Sequence, residues 1–312
     1  LQKIVDTKNS VLKLTLKEKK SYSKKLFKIS QIINKNIKDF EKNEKLNINY
    51  KNTFKKSIYF NNKNFEDILR IRTLNNQLFL KDKLLSDLLT VGVFSILIKS
   101  SKLKRMGDLR FKNKKELNMP QYNFVSELNK QLNKMSNDIL DSKYINLNNR
   151  ILSENSKDLI NEENFYADGV ITSPPYLNGT NYIRNTKLEL WYMLELNDIN
   201  DLRKFRDKVI TSGINDVNSN INKDSFLKAT TKLIRKIEAK EYDKRISKMI
   251  GKYFVDMNLT FIGLAKHLKT GSKMLIDIGD SKFCGVHIKT DFYLKQIAKK
   301  YFKHNKTIKL RT

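Results

Sequence analysis

Asp168-Gly169-Val170-Ile171-Thr172-Ser173-Pro174-Pro175-Tyr176 is the stretch on which the reading of the fold turns. Gly169 to Thr172 is a short β-branched run, and a proline pair closes it. A strand therefore stops at Ser173, because proline fixes φ and has no N–H for a ladder. Two consecutive prolines also stiffen the turn. They hold the hydroxyl of Ser173 and the carbonyl of Pro174 in one fixed geometry. Two acceptors side by side suit an exocyclic amino group, which offers two N–H donors. Tyr176 adds an aromatic face on which a base can stack, worth ~1–3 kcal/mol. Extruding a base from a duplex costs a few kcal/mol, so one such stack offsets much of it. The plain alternative is a rigid turn with no ligand.

Outward from this corner the pattern alternates. Downstream, Ile246, Met249, Ile250, Tyr253, Phe254, Met257, Phe261, Leu264 and Leu268 form a helical stripe, with Gly271 expected as its C-cap. Met274 to Ile278 reads as a strand covered on both faces. Thr290 is the expected N-cap of another helix, and Thr307 to Leu310 a final strand. Upstream, Tyr144 to Leu147 reads as a strand; between, Asn185 to Leu196 reads as a helix and Asn197 to Asp224 as a polar, Asn-rich loop or insertion. Strands alternating with helices predict a parallel α/β sheet, whose sites lie at the carboxyl ends of its strands.

The front of the chain differs. No glycine precedes Gly92, and Pro120 is the only proline before position 170. Without that punctuation it reads as helices, about Ser23–Lys42, Asn64–Leu78, Lys81–Lys99 and Tyr122–Leu140. Lys99 to Lys115, including Arg105 and Arg110, reads as a basic loop able to meet phosphates, or as plain solvated surface. The 312 residues divide into a mainly helical region, 1–142, and a core, 143–312, carrying the motif and a polar insertion near 197–240.

Sixty-two Lys and Arg against 33 Asp and Glu give a formal charge of +29. That points to a polyanion, since cationic surfaces gain from counterion release on nucleic acid. Lysine supplies most of the excess, as coding bias in an AT-rich genome also would. One Cys and three His exclude a disulfide scaffold and a Cys-rich zinc module, and fit a reducing cytoplasm. The longest apolar run, Leu88 to Ile98, is too short to span a bilayer. Cys284 follows Phe283 and not a proline, which argues against cytosine C5 chemistry with a thiolate nucleophile. No phosphate-loop motif argues for a nucleotide-driven motor.

The block from about Asn148 to Thr312 resembles the SAM-dependent amino-methyltransferases of DNA that carry a Ser-Pro-Pro-Tyr motif. The resemblance rests on SPPYLNGTNYIR (Ser173 to Arg184), KYFVDMNLTFIGLAKHLKTG (Lys252 to Gly271), IDIGDSKFCGV (Ile276 to Val286) and the helix after Thr290, and is expected to reach the helix ending SKLKRMGDLR (Ser101 to Arg110). It implies a Rossmann-like methyltransferase sheet, complete or incomplete, with a helical N-terminal region. It implies methyl transfer from S-adenosyl-L-methionine to the amino group of cytosine, or of adenine, within a restriction-modification system. Ser173 and Pro174 would accept from that amino group, Pro175 would stiffen the turn, and Tyr176 would stack. Asn178, Tyr182 and Arg184 would shape the base pocket or hold phosphate. Asn155 and Ser156 stand where the family often has an acidic residue near the cofactor. Asp6 resembles the acidic strand end that holds the cofactor's ribose. No metal is implied. DNA is the implied partner, with a restriction endonuclease or a subunit supplying a glycine-rich loop beside it. That loop is not seen here: no Gly-x-Gly occurs in the chain. The expectation is a fragment, or a chain starting just past the loop. Two alternatives stay open: a degenerate methylase serving as a DNA-recognition subunit, and an RNA amino-methyltransferase.

Overall fold

The computed structural model describes all residues except 107, 144–148, 150, 154, 164, 178–181, 218–220 and 311–312, and the side chain of Tyr182. The chain forms two compact units, Leu1–Ile151 with Ile183–Arg203, and Leu152–Tyr182 with Lys204–Thr312. The strand expected at Tyr144 to Leu147 lies outside the described residues.

The first unit opens with α1 (Gln2–Leu12), α2 (Leu16–Asn36), α3 (Glu44–Phe54), α4 (Asn62–Lys81) and α5 (Lys83–Leu97). In place of Gly and Pro, polar caps divide these helices. Thr15 and Glu18 form a reciprocal capping box on α2, while Asn43, Asn61 and Asp82 cap α3, α4 and α5. The basic stretch expected as a loop is a hairpin, β1 (Leu103–Met106) against β2 (Asp108–Phe111), followed by the single turn α6 (Lys114–Leu117). Leu103 and Leu109 are buried on one face of the hairpin, but Arg105, opposite Leu109, stands on that same face, so the charge run shows no two-residue alternation. α7 (Phe124–Asp141) lies against α2, and Ser23 and Ser136 hydroxyls meet across them at 2.8 Å. Gly92 lets α5 approach α7, since a Cβ there would sit 2.9 Å from Leu132.

α8 (Tyr182–Tyr192) docks on the same unit through the chain's single tryptophan. Trp191 is fully buried, stacks on Phe65 and donates from Nε1 to the Leu46 carbonyl at 2.9 Å. This burial explains why residues 183–203 join the helical front. The polar stretch expected as a loop begins with a helix, α9 (Ile199–Lys208). Its start is set by Asp198, which accepts from the Asn200 and Asp201 amides at 2.7 and 3.3 Å.

The second unit is built on a parallel pair, β3 (Ala167–Thr172) and β4 (Leu268–Ile276). Among the described residues the pair has no third strand. α10 (Thr231–Glu238) and α11 (Arg245–His267) supply its core, in which Ile246, Met249, Ile250, Tyr253, Phe254, Met257 and Phe261 are buried as the stripe predicts. A second hairpin, β5 (Ser281–Phe283) with β6 (Val286–Ile288), and α12 (Thr290–Ala298) complete it. α11 meets the segment before β3 closely. At Gly263 a Cβ would lie 2.8 Å from Leu159 Cβ and 2.9 Å from the Ile160 amide. The end of α11 then clasps that segment: Lys266 donates to the Ile160 and Glu162 carbonyls, and His267 lies between those of Leu159 and Phe165.

Three expectations fail in this unit. Gly271 does not cap α11, which runs into β4; its φ of +84° falls where one residue of β3, Asp168, faces four of β4. The strand at Met274 is covered on one face only. Met274 and Ile276 are half-buried, but Leu275 is 59% and Ile171 87% exposed on the other face. Thr307 to Leu310 is exposed and forms no strand.

Candidate nucleobase-binding site

The motif begins where β3 ends, and β4 ends beside it. Thr172 pairs with Ile276, and the Asp277 amide donates to the Thr172 carbonyl at 2.9 Å, so the ladder runs to the first motif residue. Pro174 and Leu177 are buried, whereas Ser173 and Tyr176 are exposed. The corner is thus anchored by Pro174 and Leu177 and offers Ser173 and Tyr176 to solvent. Ser281 fastens it further, donating to the Leu177 carbonyl at 2.6 Å.

Asp277 is the residue that sequence reasoning missed. Ser173 Oγ donates to its carbonyl and Tyr176 OH to its Oδ2, both at 3.4 Å. The first contact has a chemical consequence. A serine hydroxyl has one proton, and giving it to a carbonyl leaves the oxygen lone pairs free to accept. The second ties the tyrosine ring to the neighbouring strand. Gly279 lies beside that ring, where a Cβ would sit 3.5 Å from it. Asp280 accepts from the Thr290 amide at 3.0 Å and pairs with His287, joining the loop after β4 to the start of α12. A carboxylate at the end of the strand next to the motif was the available signal, but pairing between distant strands is needed to read it.

The other expected residues are distributed between the units. Asn155 and Ser156 belong to the motif's unit. Asn155 Oδ1 is used in a cap, accepting from the Lys157 amide at 3.0 Å, and Ser156 Oγ lies 3.5 Å from Thr260 Oγ1. Asp6 is corrected: it lies within α1 of the first unit and not at a strand end, and accepts from Gln2 at 2.7 Å. Arg184, Arg105 and Arg110 also belong to the first unit and make ion pairs there. Arg184 pairs with Asp108 at 2.7 Å, Arg110 with Glu116 at 2.7 Å, and Arg105 with Glu189 at 3.6 Å. Burial raises the Glu189 carboxyl above its ordinary range. Asn178 and the Tyr182 side chain lie outside the described residues.

Among the described residues, no group of three or more His, Cys, Asp and Glu is placed to hold a metal ion, and no helix is long and apolar enough to cross a membrane. The residues expected to hold S-adenosyl-L-methionine do not fit it as a set. Asp6 stands on a helix, and the Asn155 side chain is committed to a cap.

Two curated proteins are similar to this chain: the Type II methyltransferase M.AvaI of Nostoc sp. (strain PCC 7120 / SAG 25.82 / UTEX 2576) and that of Anabaena variabilis. Each is 29% identical over 148 residues, covering 44% of this chain and 30% of the relative. The match therefore spans under a third of the relatives' length. No family model and no solved structure matches.

Proposed function

We propose that this chain carries the target-base site of a DNA methyltransferase that modifies an exocyclic amino group, of cytosine or of adenine. One observation carries the reading. An exposed serine whose proton is directed to a carbonyl, a proline pair and an exposed tyrosine meet at the carboxyl end of a parallel strand. Ser173 Oγ and the Pro174 carbonyl accept the two N–H groups of the base, and Tyr176 stacks on it. The amino lone pair is conjugated with the ring and weakly nucleophilic. Two acceptors favour a tetrahedral nitrogen and aim its lone pair, so the contribution of these residues is orientation and electrostatics. The similarity to a Type II methyltransferase and the charge of +29 support DNA as the substrate.

S-adenosyl-L-methionine is the donor this reading implies, and a Rossmann-like sheet the fold. Because Asp6 stands on a helix and Asn155 Oδ1 is committed to a cap, the mechanism is confined to holding the acceptor base. That same observation favours a second reading, a recognition subunit that binds DNA while another polypeptide supplies the glycine-rich loop. A restriction endonuclease partner belongs to the same proposal.

The test is transfer of tritiated methyl from S-adenosyl-L-methionine to unmethylated DNA, with RNA as a parallel acceptor. Hydrolysed products are resolved for N4-methylcytosine and N6-methyladenine. Transfer to DNA that is abolished by Tyr176→Ala supports the enzyme. Salt-dependent DNA binding without transfer supports the recognition subunit. Transfer to RNA alone, or transfer unaffected by Tyr176→Ala, overturns the proposal.

A further inference from the structure

The first unit holds a cleft of about 600 Å³ between the end of α5, the first hairpin and the chain after α6. Its floor is apolar and aromatic, with Phe94, Ile98, Leu103, Met119 and Tyr122. Met119 and Tyr122 are 62% and 47% exposed, so apolar surface is open to solvent. The rim is basic: Lys99, Lys104, Arg105 and Lys112 face one carboxylate, Glu116. Glu116 is already engaged by Arg110 and Lys104. Lys99 pairs with Glu127 at 2.5 Å and lies 4.5 Å over the Tyr122 ring.

Lys112 differs from its neighbours. It is half-buried, and its ammonium donates to a neutral amide, Gln121 Oε1, at 2.9 Å. Burial, with Lys104 nearby, pushes its ammonium below the ordinary value. Glu116 opposes that shift but is already shared by Arg110 and Lys104, so a desolvated ammonium bonded to a neutral amide gains from an arriving anion.

We propose that this cleft binds one nucleotide, its base on the floor beside Tyr122 and its phosphate against Lys112. The volume suits a single nucleotide and is too small for a duplex. This deepens the reading of the chain as acting on nucleic acid, and rests on it. The same chemistry has two sources, a free nucleotide or an unstacked nucleotide of a strand.

The experiment measures fluorescence anisotropy of a labelled 12-nucleotide single strand, and of its duplex, with the full chain over a range of salt. Tyr122→Ala is expected to weaken single-strand binding about 5-fold or more, the equivalent of ~1–3 kcal/mol of stacking. Tyr122→Phe restores it. Lys112→Gln lowers the salt slope by about 0.7, one phosphate's share on a single strand. Lys81→Gln, an exposed lysine of α4 outside the cleft, changes affinity less than Lys112→Gln does. Competition by AMP identifies the free nucleotide as a source; competition by the oligonucleotide alone identifies the strand. Parent-like binding by Tyr122→Ala, equal effects of Lys81→Gln and Lys112→Gln, or equal competition by polyglutamate overturns the cleft. Failure to bind any nucleic acid overturns the proposed function with it, whereas binding insensitive to Tyr122 and Lys112 overturns the cleft alone.

Discussion

Replacing Asp256 by Asn should cost the second unit several kcal/mol, because it strands a buried lysine. Asp256 lies on α11 and is fully buried. Its Oδ2 accepts from the Thr211 amide at 2.9 Å, its Oδ1 takes Lys252, and Lys157 Nζ stands 3.9 Å away. The two lysines differ in their escape. The Lys252 side chain is 30% exposed and can turn to water, but Lys157 is 9% exposed and held to the Val209 and Asp207 carbonyls. Burial already pushes the Lys157 ammonium below its ordinary value. Removing one partner of a buried pair costs ~3–5 kcal/mol, because the other charge stays uncompensated. At ~2–4 °C per kcal/mol the midpoint should fall by about 6–20 °C. The assay is thermal and urea unfolding by far-UV circular dichroism, with hydrogen exchange on peptides covering 205–215. Asp256→Leu with Lys157→Met removes both charges and should recover much of the loss. If Asp256→Asn melts with the parent, or the double variant loses the sum of the two single losses, the reasoning fails.

Other consequences are equally open to measurement. Gly263→Ala would ordinarily gain ~1 kcal/mol within a helix, but the contacts at Leu159 and Ile160 reverse the sign; a loss of ~1–3 kcal/mol in urea is expected. Tyr253→Phe removes a buried hydroxyl that has no partner among the described residues, and should raise stability by ~1 kcal/mol in the same measurement. Burial raises the phenols of Tyr192 and Tyr253 strongly, and that of Tyr50 to about 12. A folded value above the unfolded one gives stability that is complete below pH 10 and is lost as pH climbs through about 12. Phenolate absorbance at 295 nm should therefore show a second, late component that coincides with loss of circular dichroism. Asp277→Ala and Tyr176→Phe should each reduce fluorescence quenching of 2-aminopurine at the target position, and the double variant no more than the worse single. Additive effects would detach Asp277 from Tyr176.

What could be read from the chain alone follows from where the information lies. The stripe from Ile246 to Phe261 is local, repeats over several turns and matches the burial of α11. The proline pair marks the end of β3 because proline acts on its own neighbours. The hairpin at Leu103 is masked because a charged residue, Arg105, stands on the same face as Leu103 and Leu109 and breaks the two-residue period. α9 was masked because Asn and Asp are poor in helix interiors yet good at their starts, and Asp198 is such a start. The exposed face of β4 could not be foreseen, since an apolar strand looks the same whether one face is covered or both. Asp277 acquires its meaning only through pairing with a strand roughly 100 residues earlier in the chain.

That pairing also bears on the acceptor role proposed for the serine at the first position of the motif. An aspartate there would accept without assistance, whereas a serine accepts well only when its proton has somewhere else to go. The sink is a main-chain carbonyl of the next strand, so any residue at 277 would supply it, but only in this register. The carboxylate that takes the Tyr176 hydroxyl is, by contrast, a matter of sequence. A slip of β4 by one residue would set Ile276 or Ile278 beside the tyrosine and turn every side chain of the strand to the opposite face. Gly271 stands where the extra residues of β4 are accommodated, in a left-handed conformation that costs an L side chain ~1–2 kcal/mol. The contacts on which the proposed acceptor role rests thus depend on a glycine at the far end of the strand, through the register that its conformation permits.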